Sequence, residues 1–174
     1  MKPAARRALF IDRDGTLIVD VGYPREPARV EPLPGALDAL RGLAASFALV
    51  IVSNQSGIAR GLITPAEARA VHERTIELFA HAGVGFAGAY YCPHAPDAGC
   101  PCRKPQPGLL LDAARELELD LARSSLVGDR ASDVAAGRAA GCCHVIRLGP
   151  AAGDAHEPRC EDWAEVVRFL GAEP

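Results

Sequence analysis

Short apolar runs alternate with amphipathic stretches along almost the whole chain, and that alternation restricts the fold more than any single motif does. Residues 8–11, 48–52, 86–91, 125–127 and 144–148 read as buried strands, each a few residues long and bounded by polar or glycine-containing segments. Between them, residues 35–46, 65–82, 108–117 and 132–140 read as helices, and residues 162–170 form a last candidate helix. The second helix has the clearest start: Thr64 as N-cap, Pro65 at the first helical position and Glu67 to complete a capping box. Val71, Thr75, Leu78, Phe79 and Ala82 then share one helical face. Strands separated by helices in this way pair in parallel and are covered on both faces.

The expected fold is therefore α/β: a Rossmann-like, doubly wound, mainly parallel sheet. A chain of 174 residues, 49% of them hydrophobic, supports one sizeable core, so residues 1–174 are expected to form a single domain. The spacer before the first helix is too short to hold a helical cap, and the segment between Ser53 and Lys104 has room for one helix, one strand and a loop. The fold is thus expected to be capless. The balance of 19 basic and 22 acidic residues includes no basic stripe, which argues against nucleic acid as a partner. The longest apolar runs are far too short to span a bilayer. The basic residues of segment 1–7 lead straight into the first strand and leave no apolar segment for a cleavable signal, so a cytoplasmic, monomeric protein is expected. Residues 149–158, rich in Gly and Pro, read as a surface loop.

The polar segments follow the carboxyl ends of the strands, which is where open parallel sheets bind ligands. Asp12-Arg13-Asp14-Gly15-Thr16 follows the first, Ser53-Asn54-Gln55-Ser56-Gly57 the second, Cys92-Pro93-His94 the third and Gly128-Asp129 the fourth. Two carboxylates two residues apart can divide labour, one attacking phosphorus while the other moves a proton. Asp12 and Asp129 together could hold Mg²⁺, a hard ion that takes one or two carboxylates with water and phosphate oxygens. Ser53 and the amides after it can donate to phosphoryl oxygens, and Lys104 can neutralise charge on a transferring group. Asp133 can brace the metal site or a neighbouring loop.

Six cysteines in a reducing compartment point to metal or free thiols. Cys92, His94, Cys100 and Cys102 form a compact Cys₃His set suited to tetrahedral Zn²⁺, and four protein ligands make a closed, structural site. Free thiols are the alternative, disfavoured by the His and prolines among them. Arg103 and Lys104 follow the last ligand directly, so the metal would aim both cations.

In this order the motifs resemble the haloacid dehalogenase superfamily of phosphohydrolases: D-x-D-G-T, a Ser after the second strand, a Lys before a later helix, and G-D-x-x-x-D. The resemblance implies Asp12 as nucleophile and Asp14 as general acid and then base. It implies Mg²⁺ bound by Asp12, Asp129 and the backbone carbonyl of Asp14, with the first and fourth strands adjacent. The zinc loop ending in Cys102-Arg103-Lys104-Pro105 is similar to that of one branch, which dephosphorylates heptose bisphosphates or histidinol phosphate. The Gly22-Tyr23 and Ile58-Ala59-Arg60-Gly61 segments look more like the heptose enzymes, implying a sugar phosphate substrate. The branch implies substrate contacts from Asp20, Gly22, Tyr23, Asn54, Gln55, Ser56, Arg103 and Arg130. Arg130 departs from the Lys often found after the fourth-motif Asp, keeping the charge with a different donor geometry.

The remaining polar residues have plainer readings. Asp38, Asp112 and Asp120 read as ordinary carboxylates, His72 and His81 as helix-surface residues, and His144 as a strand-edge residue. Cys142, Cys143 and Cys160 read as small packed or edge residues, and the Arg-rich positions mostly as solvated helix faces, with Arg60, Arg103 and Arg130 the exceptions. Two rivals remain: a histidinol-phosphate phosphatase, and a catalytically silent, zinc-stabilised binding protein. Hydrolysis of a simple aryl phosphate separates the second rival from the enzymes.

Overall fold

The computed structural model describes residues 5–150 and 158–171. Residues 1–4 of the basic N-terminal segment and residues 151–157 of the expected surface loop lie outside the described residues. The chain runs β1 (Ala8–Ile11), α1 (Ala36–Leu43), β2 (Ala48–Asn54), α2 (Pro65–His81), β3 (Gly88–Cys92), α3 (Gly108–Glu116), β4 (Ser125–Gly128), α4 (Ala131–Ala140), β5 (His144–Leu148), β6 (Arg159–Cys160) and α5 (Trp163–Gly171).

All six strands pair in parallel in the order β3-β2-β1-β4-β5-β6. The central strand β1 is buried at every position, which is why it reads as an unbroken apolar run. Its Leu9 and Ile11 enter a core with Leu40 of α1, Phe79 of α2 and Trp163 of α5. Its Ala8 and Phe10 enter the opposite core with Leu110 of α3 and Val134 of α4. Side chains alternate across the sheet, so one four-residue strand anchors both layers.

The capping box at the start of α2 forms as expected: Glu67 N–H donates to Thr64 Oγ1 at 3.1 Å and Thr64 N–H to Glu67 Oε2 at 2.7 Å. No cap is inserted among the described residues. Only a 3₁₀ turn (Pro27–Arg29) lies between β1 and α1, and only α2 and β3 lie between Ser53 and Lys104. Strand β6 is absent from the sequence reading, because two residues without an apolar run carry no periodic signal. His72 corrects another expectation. It is buried on α2 against the Tyr91 ring, with centroids 5.3 Å apart, while His81 is exposed as expected.

Candidate active site

The strand order reverses direction between β1 and β4, and the functional residues gather at that switch point. Register pairs Ile11 with Val127, and Asp12 N–H donates to Val127 O at 3.0 Å, so Asp12 and Asp129 leave neighbouring strands at one rim. Gly15 then turns the chain at φ +81°, and a Cβ there would lie 2.6 Å from an Asp129 carboxylate oxygen. Both the backbone angle and the space require glycine. A Cβ on Gly128 would likewise meet Asp133 at 2.5 Å.

Lys104 crosses from the loop before α3 into the centre of the site. Its buried Nζ donates to Asp12 Oδ1 at 2.5 Å and to Val52 O at 2.7 Å, and pairs with Asp133 Oδ1 at 2.6 Å. The other Asp133 oxygen accepts from Arg130 N–H at 3.0 Å at the start of α4. Asp133 therefore braces the lysine and the helix entry together. The lysine backbone is clamped as well: Asn54 Nδ2 donates to Lys104 O at 2.9 Å, and Lys104 N–H donates to Asn54 Oδ1 at 3.1 Å. Burial acts to discharge the Lys104 ammonium, but the carboxylates of Asp12 and Asp133 outweigh it and hold its pKa above the usual value. Burial also pushes the Asp12 carboxyl up to about 7, opposed by Lys104 and reinforced by Asp133 and Asp14.

Asp14 lines the same cleft and is gripped from two sides. The Arg13 guanidinium spans both carboxylate oxygens at 3.0 to 3.2 Å. Gln55 Nε2 donates to Asp14 Oδ2 at 2.8 Å and to Ser53 Oγ at 2.8 Å.

Asp12, Asp129 and Asp133 bring carboxylate oxygens within 4.8 Å of one another. Asp129 Oδ1 is buried with no hydrogen-bond partner, and burial, with the nearby Asp133 charge, pushes the Asp129 carboxyl up to about 6 against the pull of Arg130. An orphaned carboxylate oxygen in an all-oxygen cluster fits a hard divalent cation.

The second metal-competent cluster is the loop between β3 and α3. Cys92, His94, Cys100 and Cys102 point four ligand atoms at one centre. The Sγ–Sγ separations are 3.6 and 3.5 Å, and His94 Nδ1 lies 3.4 and 3.3 Å from Cys92 and Cys102 Sγ. A tetrahedral Zn²⁺ with bonds of about 2.3 Å to sulfur sets such edges at about 3.6 to 3.8 Å, so the donors fit this ion. Burial pushes the Cys92 thiol up to about 12, a cost that metal binding to the thiolate would relieve. The loop is tied to the catalytic rim by Gln55 N–H donating to Cys92 O at 2.7 Å and Arg103 donating to His94 O at 3.4 Å.

A cleft of about 480 Å³ gathers most of the expected substrate contacts: Gly22, Tyr23, Asn54, Gln55, Ser56, Arg103 and Arg130. Asp20 and Ser53 do not line it but bond to residues that do. Asp20 accepts from Arg130 at 3.0 Å and from Gly22 N–H at 2.8 Å, and the Ser53 hydroxyl is buried against Gln55. Gln55, on the cleft wall, spends its amide N–H groups on Asp14 and Ser53. Arg60 donates to the Tyr23 hydroxyl at 2.6 Å and holds that loop over the rim.

Sequence reasoning gave Arg13 no role, yet it is only 1% exposed. A charge wedged between two functional carboxylates, directly after a buried strand, was the available signal. It also missed His72, four residues after buried Ala68 and seven before buried Phe79, on the stripe the helix turns inward. Burial, with the charge of nearby Arg13, holds its imidazole down to about 4 against the opposing pull of Asp14.

The sheet and the ring of Asp12, Asp14, Lys104, Asp129 and Asp133 define a phosphohydrolase of the haloacid dehalogenase (HAD) type. A HAD-hydrolase-like family model matches residues 101–149. D-glycero-β-D-manno-heptose-1,7-bisphosphate 7-phosphatases from Yersinia pestis and Escherichia coli K12 are each 44% identical over 152 residues, covering 82% of this chain and 81% and 80% of theirs. The crystal structure of D,D-heptose 1,7-bisphosphate phosphatase from B. bronchiseptica, complexed with magnesium and phosphate, superposes with a TM-score of 0.86 at 34% identity, covering 97% of this chain and 99% of that one. The chain belongs to the heptose-bisphosphate phosphatase family of the HAD superfamily.

Proposed function

We propose that this chain is a Mg²⁺-dependent phosphatase that acts through an aspartyl-phosphate and removes the 7-phosphate of D-glycero-β-D-manno-heptose 1,7-bisphosphate. The observation that carries the reading is the Asp12 carboxylate at the switch point, 2.5 Å from the buried Lys104 ammonium and sharing a cleft with Asp14. Asp12 attacks the phosphorus while the bond to the sugar oxygen breaks, and Asp14 gives that oxygen its proton. Water then attacks the phosphorus of the aspartyl-phosphate as Asp14 takes the proton back, releasing phosphate and restoring Asp12. Lys104 offsets the negative charge gathered around the phosphoryl group. When bound by Asp12, Asp129 and the Asp14 backbone carbonyl, Mg²⁺ would supply positive charge toward the phosphoryl oxygens.

The Cys92, His94, Cys100 and Cys102 set would hold a structural Zn²⁺ that keeps Arg103 and Lys104 in place. Arg103 and Arg130, on the cleft wall, suit the sugar oxygens and the second phosphate, since guanidinium forks match such oxygens in pairs. We read the chain as a single-domain cytoplasmic monomer. Three of the six cysteines, Cys92, Cys100 and Cys102, are accounted for with His94 as metal donors gathered at one loop, and no described helix is long and apolar enough to cross a membrane.

The test is kcat/KM for the β- and α-anomers of the heptose bisphosphate and for histidinol phosphate. The β-heptose bisphosphate is expected to lead. A higher value for histidinol phosphate overturns the substrate assignment, and no hydrolysis of any of them overturns the enzyme.

The pKa shifts give a second expected outcome. Without a cation, Asp12 and Asp129 stand at about 7 and about 6, both above ordinary carboxyls. Stability from such raised groups is fully present below their unfolded pKa. It is lost as pH rises through the folded values, because the folded state must then ionise buried carboxyls. A divalent cation binds the ionised forms and offsets that loss. The gap between thermal midpoints measured with and without added Mg²⁺ should therefore widen from about pH 5.5 to about pH 7.5. A gap that does not change with pH would remove these carboxylates from the cation site.

A further inference from the structure

We propose that Arg13 is a positioning residue for Asp14, fixing its carboxyl group in the orientation from which, when protonated, it gives its proton to the leaving oxygen and, once ionised, takes one from the attacking water. The proposal rests on the phosphatase reading above. Arg13 is 1% exposed and lies outside the cleft lining, so it does not meet substrate. Its Nε and one terminal nitrogen reach both Asp14 oxygens at 3.0 to 3.2 Å. Neighbouring side chains on a strand point to opposite faces. Here the chain has left β1 at Ile11 and turns tightly, with Leu17 and Ile18 N–H donating to Arg13 O at 2.9 and 3.0 Å. That turn lets side chains adjacent in sequence face each other.

A planar fork that meets both oxygens at once stops the carboxylate from rotating, which a lysine's point charge does not do. Gln55 adds a third hold at 2.8 Å and is itself fixed by Ser53. The guanidinium fork is planar and rigid, so its contacts to the two oxygens hold together. His72, kept neutral by burial, puts no competing positive charge beside it.

Proton donation matters most when the leaving group is poor, and kcat/KM reports the steps up to phosphoryl transfer to Asp12. The experiment compares kcat/KM for 2,4-dinitrophenyl phosphate, phenyl phosphate and the heptose bisphosphate in the wild type, Arg13→Lys and Arg13→Ala. Circular dichroism and thermal midpoints follow the fold. Both variants should lose about a hundredfold on phenyl phosphate and the bisphosphate, the scale of a misplaced catalytic group. They should stay within about threefold of wild type on the dinitrophenyl ester, which leaves without a proton. Guanidinium ion added to Arg13→Ala should restore part of the loss on phenyl phosphate. Equal losses on all three substrates would overturn the proposal, as would failure of both variants to fold, which marks Arg13 as a structural ion. No hydrolysis by the wild type would overturn the phosphatase reading itself.

Discussion

Asp12→Asn is expected to lower kcat by about four orders of magnitude or more, the scale seen when a covalent nucleophile is removed. An amide nitrogen or oxygen in place of the carboxylate cannot form the acyl phosphate. The fold should survive. The substitution keeps the shape and still accepts from Lys104, while removing a buried carboxyl whose ionisation burial opposes. Turnover of phenyl phosphate and circular dichroism, measured together, check both halves. Turnover within tenfold of wild type would take the nucleophile role away from Asp12.

Lys104→Met should damage stability as well as chemistry. The ammonium sits between Asp12 and Asp133 at 2.5 and 2.6 Å and also donates to Val52 O, all of it out of solvent. Removing one partner of a buried ion pair costs about 3–5 kcal/mol, because the charges left behind have neither water nor a counter-ion. For a chain of this size that corresponds to a fall in Tm of about 10 °C at neutral pH. The loss should shrink toward low pH. Asp12, whose carboxyl is already pushed up by burial, can then be protonated, and a group with a raised folded pKa regains its contribution as pH falls. Thermal unfolding at two pH values is the measurement. A Tm unchanged at neutral pH would mean that the cluster relaxes by admitting water.

The first five strands were legible because each is built on a short, mainly apolar run, and β1 shows how far that goes: Ala8, Leu9, Phe10 and Ile11 are all buried. The zinc loop was legible because its four ligands lie within eleven residues, where covalent neighbourhood nearly dictates spatial neighbourhood. Arg13 has no legible role in the sequence for the opposite reason: its contact with Asp14 depends on the tight turn after β1, and the hold is completed by Gln55 from a loop 41 residues away. His72 was misread although its spacing from Ala68 and Phe79 put it on the buried stripe, since a polar type was weighed above its position.

What the sequence by itself determined was local: where each strand ends, which chemistry follows that end, and which four side chains form the metal loop. These follow from periodicity and chain adjacency, which need no knowledge of distant partners. Only the tertiary structure decided that Lys104 closes on Asp12 across 92 residues of sequence and that Arg130 reaches Asp20 across 110. It also decided that Arg13 is buried against Asp14. Those contacts depend on the order and register of strands far apart in the chain, and these are set by packing both faces of the sheet at once. No local pattern in the sequence contains that arrangement.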